Sequence, residues 1–173
     1  MSKFTHAHGV DMVATLKQSI IDGTNPGVYI HGVNCQGVAK SGIAGQLVKA
    51  FPEAFDVYYD MVLQNKEKGE PSFKLQGNIT CAYALSPKHF LVHCFTQDRY
   101  GRAPNVVYAN YTAIKMCMKK IAQFTPTMET LGVNHIHYPM IGAGLAKGDW
   151  ETIHRIIEGE IPSTVNRTLY TLD

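Results

Sequence analysis

The chain has 173 residues, of which 45% are hydrophobic and 17% charged, and its formal net charge is +2. That length fits one domain with a substantial core, and the small net charge without any Lys/Arg run excludes a broad nucleic-acid-binding face. No apolar stretch approaches the ~20 residues of a membrane span, the segment from Met1 to His6 lacks the apolar centre of a signal peptide, and the four cysteines form no Cys-x-x-Cys pair, so free thiols in a cytoplasmic protein are expected.

Residues 3–8 are expected to form a short first strand. From Asp11 to Ile21 the apolar residues Met12, Val13, Leu16, Ile20 and Ile21 fall at helical spacing. Gly23-Thr24-Asn25-Pro26-Gly27 breaks that helix. Val28 to Val33 reads as a buried strand, and Ser41 to Phe51 as a helix with Ser41 as its cap. Pro52 suits the first turn of a further helix reaching about Lys66. Two strands, 78–85 and 89–96, are separated by Ser86-Pro87-Lys88 and read as a hairpin. A long helix is predicted over 105–124, ended or kinked at Thr125-Pro126. A strand from Val133 to Pro139, a helix over 150–158 and a strand from Arg167 to Leu172 complete the chain. Six strands among helices predict a three-layer α/β domain with a mixed sheet.

Two glycine-rich turns lie where such sheets bind ligands, beyond the carboxyl ends of the strands. The first runs Gly37-Val38-Ala39-Lys40-Ser41-Gly42-Ile43-Ala44, and the second Met140-Ile141-Gly142-Ala143-Gly144-Leu145-Ala146-Lys147-Gly148-Asp149-Trp150. A glycine turn entering a helix presents bare N–H groups, and two of them suggest a ligand with two phosphates. Neither carries the Gly-Lys-Ser/Thr ending of a nucleotide-hydrolysing loop or the Gly-x-Gly-x-x-Gly of a dinucleotide fold. Asn34 has the donor and acceptor that ribose hydroxyls require, although it also suits a turn. His31 is either a hydrogen-bonded core residue or a proton-transfer group. In the rim loop after residue 96, Asp98 offers a carboxylate, Arg102 a phosphate clamp and Tyr100 a ring to stack on. His6 with His8, and His135 with His137, share strand faces, but no Cys or carboxylate joins them at ligand spacing, so no metal and no cofactor are expected. Trp150 reads as an anchor of the last helix, and Cys35 has no assured base beside it to make a nucleophile.

Taken together, His31-Gly-Val-Asn-Cys, Ser41-Gly-Ile-Ala, Pro139-Met-Ile-Gly-Ala-Gly-Leu and the closing Leu169-Tyr-Thr-Leu172 resemble the macrodomain family of ADP-ribose binders. The resemblance is greatest to the branch with terminal ADP-ribose glycohydrolase, yeast ADP-ribose 1''-phosphate phosphatase and small phage-type proteins. It implies a six-stranded three-layer fold. It also implies adenine contacts from Asp11, Met12 and Leu172, a distal-ribose contact from Asn34, and a first phosphate loop of Ser41, Gly42, Ile43 and Ala44. Ile141, Gly142, Ala143, Gly144, Leu145 and Ala146 would form the second phosphate loop. The glycohydrolase of this branch uses a lysine after the fourth strand and an aspartate after Gly-x-Gly-Leu. Here those places read Phe95-Thr96-Gln97-Asp98 and Gly144-Leu145-Ala146, which argues against a lysine adduct. His31 matches a histidine of the yeast phosphatase. The expectation is therefore an ADP-ribose-binding monomer that hydrolyses ADP-ribose 1''-phosphate, with His31 as catalyst and Asp98 as partner. The alternatives are a non-catalytic binder that sequesters ADP-ribose, or a glycohydrolase using activated water. Nucleic acid enters only as an ADP-ribosylated substrate.

Overall fold

The computed structural model describes residues 3–173, so the first two residues of the N-terminal segment lie outside it. Its six strands are β1 (Phe4–His8), β2 (Gly27–Val33), β3 (Tyr83–Ser86), β4 (His89–Phe95), β5 (His135–Pro139) and β6 (Asn166–Thr171). They form one mixed sheet in the order β1-β6-β5-β2-β4-β3, parallel except for the edge strand β3. The helices are α1 (Met12–Asp22), α2 (Gly42–Ala50), α3 (Asp56–Glu67), α4 (Tyr111–Thr130) and α5 (Trp150–Glu160).

Alternation along β2 builds both cores at once, as expected of a strand covered on both faces. Val28 and Ile30 pack with Ile114, Met118 and Ile121 of α4 and with Ile153 and Ile157 of α5. Tyr29 and Val33 pack on the other face with Met12 and Leu16 of α1, Leu47 of α2 and Tyr58 and Val62 of α3. These are the three layers.

The element reading needs four corrections. The long helix starts at Tyr111, capped by the side chain of Asn110, because residues 108–110 are drawn into tertiary bonds instead. Tyr108 and Ala109 donate N–H bonds to the Ala146 carbonyl, and Asn110 to that of Thr96. Pro126 neither ends that helix nor marks its boundary; it sits inside it. Proline leaves the carbonyl four residues back without its usual donor, and here the Thr125 hydroxyl donates to Ala122 O at 2.7 Å and fills that gap. The helix predicted from Pro52 opens instead as a 3₁₀ turn over Pro52–Phe55 before α3 begins. The first hairpin strand is also shorter than read, with only an isolated bridge between Ile79 and Cys94 before β3.

The feature that positions a site is the spacing of β2 from its neighbours. It pairs with β4 along its whole length, from Gly27 to Val33. Against β5 the register covers only Val28–Ile136 and Tyr29–His137. Beyond that point the two strands part, and each runs into one of the glycine-rich loops. A crevice at the carboxyl ends of parting parallel strands is where open α/β sheets take ligands.

Candidate ligand-binding site

A cavity of about 990 Å³ occupies this crevice, at the upper end of the range for small-molecule sites. The first loop contributes Val38, Lys40, Ser41, Gly42, Ile43 and Ala44. The second contributes Met140, Ile141, Gly142, Gly144, Leu145 and Ala146. The rim after β4 adds Thr96, Gln97, Tyr100, Gly101 and Arg102. All four residues of the expected first phosphate loop line it, as do five of the six of the second. Ala143 is the exception: it packs half-buried against the α4–α5 core. Next to this cavity, and sharing Ile43 and Pro139 with it, is a smaller depression lined by Asp11, Met12, Gln46, Tyr170 and Leu172. It gathers the three residues expected at adenine. Asp11 also caps α1, one of its oxygens accepting from Val13 N (2.9 Å) and Ala14 N (3.1 Å). Gln46 and Tyr170 were not foreseen. They reach the depression because α2 and β6 converge there, which no local pattern discloses.

The first loop is held by side chains. Asn34 Oδ1 accepts from Gln36 N (2.9 Å), from Tyr58 O–H (2.9 Å) and, longer, from Val38 N (3.4 Å), while its Nδ2 donates to Val38 O at 2.8 Å. Asn34 thus takes the turn-forming role, while one N–H of its amide has no partner and the residue lines the cavity. Asp98 is similarly occupied. Its Oδ1 accepts from Ser72 O–H at 2.7 Å and from Gln36 Nε2 at 3.0 Å. It ties the turn at Ser72 to the first loop, and it does not line the cavity. The expectation of Asp98 as a catalytic partner is corrected accordingly.

His31 also takes the core alternative. It is 1% exposed, and its ring lies against Phe55. Its Nε2 pairs with His93 Nδ1 at 2.7 Å, and His93 Nε2 reaches the Ala54 carbonyl at 2.7 Å. Because a carbonyl only accepts, His93 carries its proton on Nε2, and its bare Nδ1 must receive the proton of His31 Nε2. Burial drives the His31 pKa well below its ordinary value, with the adjacent His93 acting the same way. His93 falls to about 4, again chiefly through burial. A ring so disfavoured as a cation stays neutral at neutral pH, and His31 lines the cavity with its Nδ1 unpartnered. Cys35 is buried, donates to Gln97 O at 3.3 Å and has its thiol pushed up to about 12 by burial and by Asp98, which leaves no nucleophile there.

The second loop is held by its backbone. Gly148 N–H donates to Gly142 O at 2.7 Å, and Ala146 O receives the two bonds from residues 108 and 109. Gly142 has φ +73°, the left-handed region that glycine tolerates. Asp149 then caps α5 through Thr152 N at 3.0 Å.

Two cations face the cavity, Lys40 and Arg102, and no carboxylate lines it. Among the described residues neither cation has an ion-pair partner. The lining therefore combines bare loop N–H groups with unpaired positive charge, which suits an anion with several phosphate oxygens. The histidine pairs outside the cavity are structural. His135 and His137 stack at 4.2 Å and bond to the hydroxyls of Thr168 and Tyr170. Among the described residues no three His, Cys, Asp or Glu side chains are grouped to hold a metal ion, and no helix is long and apolar enough to cross a membrane.

Comparison with known proteins follows the same geometry. The family model described as Macro domain matches residues 30–157. An uncharacterized 17.5 kDa protein of Enterobacteria phage T4 is 32% identical over 137 residues, covering 74% of this chain and 76% of the phage protein. The ADP-ribose 1''-phosphate phosphatase of Meyerozyma guilliermondii is 22% identical over 150 residues, covering 76% of this chain and 82% of the yeast protein. Among solved structures, Thermosipho africanus DarTG in complex with ADP-ribose superposes with a TM-score of 0.65 at 15% identity, covering 97% of this chain and 42% of that one.

Proposed function

This chain belongs to the macrodomain family, and from that premise we propose that it binds ADP-ribose and releases the terminal phosphate of ADP-ribose 1''-phosphate. The observation that carries the reading is the charge of the cavity: two glycine loops, unpaired Lys40 and Arg102, and no carboxylate. The ADP-ribose half of the reading has further support from the adjoining depression at Asp11, Met12 and Leu172, which suits a flat apolar base with one polar edge.

On this reading the adenine lies in the smaller depression and the diphosphate crosses from the loop after β5 to the loop after β2. The backbone N–H groups of both loops neutralise it. Arg102 and Lys40 then hold the added terminal phosphate, whose two further negative charges need more than the loop dipoles supply. Hydrolysis adds a water oxygen to phosphorus and breaks the bond from phosphorus to the anomeric oxygen, which leaves with a proton. Positive charge and oriented N–H groups around the phosphoryl oxygens stabilise the charge that moves in this step. The residues of this chain bind, orient and neutralise, with neutral His31 in the cavity lining.

Incubation with ADP-ribose 1''-phosphate should release inorganic phosphate, and Arg102→Ala should lower the rate about a hundredfold. Equal rates for the two proteins would remove Arg102 from the step. A second reading, binding without turnover, is favoured by the engagement of His31 and Asp98 inside the fold. ADP-ribose 1''-phosphate that binds to the protein and is recovered intact would establish it.

A further inference from the structure

Among the described residues only Asn25 and Lys147 take a positive φ without being glycine, and Lys147 does so at +61°. Asn25 lies in the breaker before β2, where asparagine suits such a backbone. Lysine has no such aptitude, and a residue held in that region is a reason to ask what its side chain does. The second loop imposes the conformation: Lys147 N–H donates to Gly144 O at 3.1 Å and Gly148 N–H to Gly142 O at 2.7 Å. The Lys147 side chain does not line the cavity. Its Nζ leaves the loop and donates to the carbonyl of Ala103 in the rim loop after β4.

Ala103 adjoins Arg102, the rim cation that faces the cavity. The rim lies in no helix or strand, so its backbone depends on outside anchors. The Ala103 carbonyl also accepts a turn bond from Val106 N–H at 3.3 Å. Tyr108 holds the same stretch from its other side. Its N–H donates to Ala146 O at 2.8 Å, which ties it to the second loop, and its hydroxyl accepts from Ala103 N–H at 3.3 Å. That hydroxyl lies so near Gly101 that a Cβ there would collide with it. The backbone is therefore fixed on both sides of Arg102, and the anchors from Tyr108 and Lys147 trace to the second loop. A guanidinium carried by a fixed backbone meets a phosphate with less ordering cost than one on a free loop.

We propose that Lys147 is a positioning residue, which sets Arg102 over the cavity through the Ala103 carbonyl. This rests on the reading of Arg102 as the cation for the terminal phosphate, and the test separates the two claims. Phosphate release from ADP-ribose 1''-phosphate is measured in a double-mutant cycle of Lys147→Met and Arg102→Ala, with ADP-ribose binding followed by calorimetry. Lys147→Met should lower kcat/KM about tenfold when Arg102 is present, and by less than about twofold when it is already alanine. ADP-ribose, which lacks the terminal phosphate, should bind all four proteins alike. Lys147→Arg, which keeps a donor on a long stem, should stay within about threefold of the parent. Lys147→Gly should melt as the parent does, because glycine takes this backbone without strain, yet show the tenfold loss. Equal losses in both backgrounds, no loss beside Arg102, or a parallel loss of ADP-ribose binding would each overturn the assignment. If the parent binds ADP-ribose 1''-phosphate without releasing phosphate, the same cycle is read in affinity, with the same outcomes. A parent that neither hydrolyses ADP-ribose 1''-phosphate nor binds it more tightly than ADP-ribose would instead overturn the functional reading, and this assignment with it. An Arg102→Ala protein equal to the parent would do the same for the role of Arg102.

Discussion

The loops that follow β2 and β5 have similar sequences and face one cavity, yet the fold holds them by opposite means. The first loop hangs on side chains: Asn34, Gln36, Tyr58, Ser72 and Asp98 form one connected set of hydrogen bonds around it. The second has side-chain support only at its far end, where Lys147 Nζ donates to Ala103 O and the Tyr111 hydroxyl accepts from Asp149 N–H at 2.9 Å. Its shape comes from backbone bonds and from glycines pressed against the core, with Gly148 so close to Gly142 O that a Cβ would stand 2.6 Å away. The first loop should therefore be sensitive to lost polar groups, and the second to added volume.

Acid should separate the two loops most strongly. The unfolded chain protonates its histidines near pH 6.5, whereas folded His93 does so only at about 4, His137 at about 3, and His31 well below its ordinary value. Between those values the unfolded state binds more protons, so stability is complete above pH 6.5 and falls as the pH drops below it. The slope reaches about 1.4 kcal/mol per pH unit for each such histidine, up to about 2 kcal/mol each at pH 5. The His31–His93 pair lies beneath the first loop, so hydrogen exchange at pH 5 should open residues 34–44 before residues 140–149. Opening of the second loop first would contradict the division.

Gly148→Ala should be the costliest of the substitutions in the two loops. Its Cβ would also meet Ile153 Cδ1 at 2.7 Å, and overpacking of this kind costs about 2–3 kcal/mol. Urea unfolding would measure the cost, and ADP-ribose affinity should fall with it. Asn34→Ala tests the other loop. It strips the partners of Gln36 N–H and Val38 O, while Tyr58 O–H keeps the Asn34 carbonyl at 2.9 Å, and should cost about 2 kcal/mol; Tyr58→Phe, which removes only one donor, should cost about 1 kcal/mol. Gly144→Ala sets the lower bound. No atom lies within 4 Å of its added Cβ, so stability should stay within about 0.5 kcal/mol. Since Gly144 lines the cavity, any fall in ligand affinity reports ligand contact rather than packing.

The same contrast explains what could be read from residues alone. Helix and strand spacing located all six strands and the five helices, because apolar periodicity is written locally, although the long helix was expected well ahead of its place and the first hairpin strand too long. The glycine loops were legible for the same reason. The partners of Asp98 and His31 were not legible because they come from residues distant in the chain. Ser72 and Gln36 claim the carboxylate, and His93 with the Ala54 carbonyl claims the ring. Asn34 was read as either turn or ribose contact, and Tyr58, arriving from α3, fixes its amide oxygen in the turn. Pro126 broke its rule through one side-chain bond from Thr125. Gly32 did carry a signal: a glycine inside a buried strand marks a close approach, and the approaching group is the Thr96 hydroxyl.

The central claim is that both loops grip one ADP-ribose. Titration calorimetry of the purified protein with ADP-ribose tests it most directly. The account predicts saturable binding of one ligand per chain, with a dissociation constant on the order of micromolar. No binding heat with ADP-ribose at about 1 mM, from a protein that unfolds cooperatively, would contradict it.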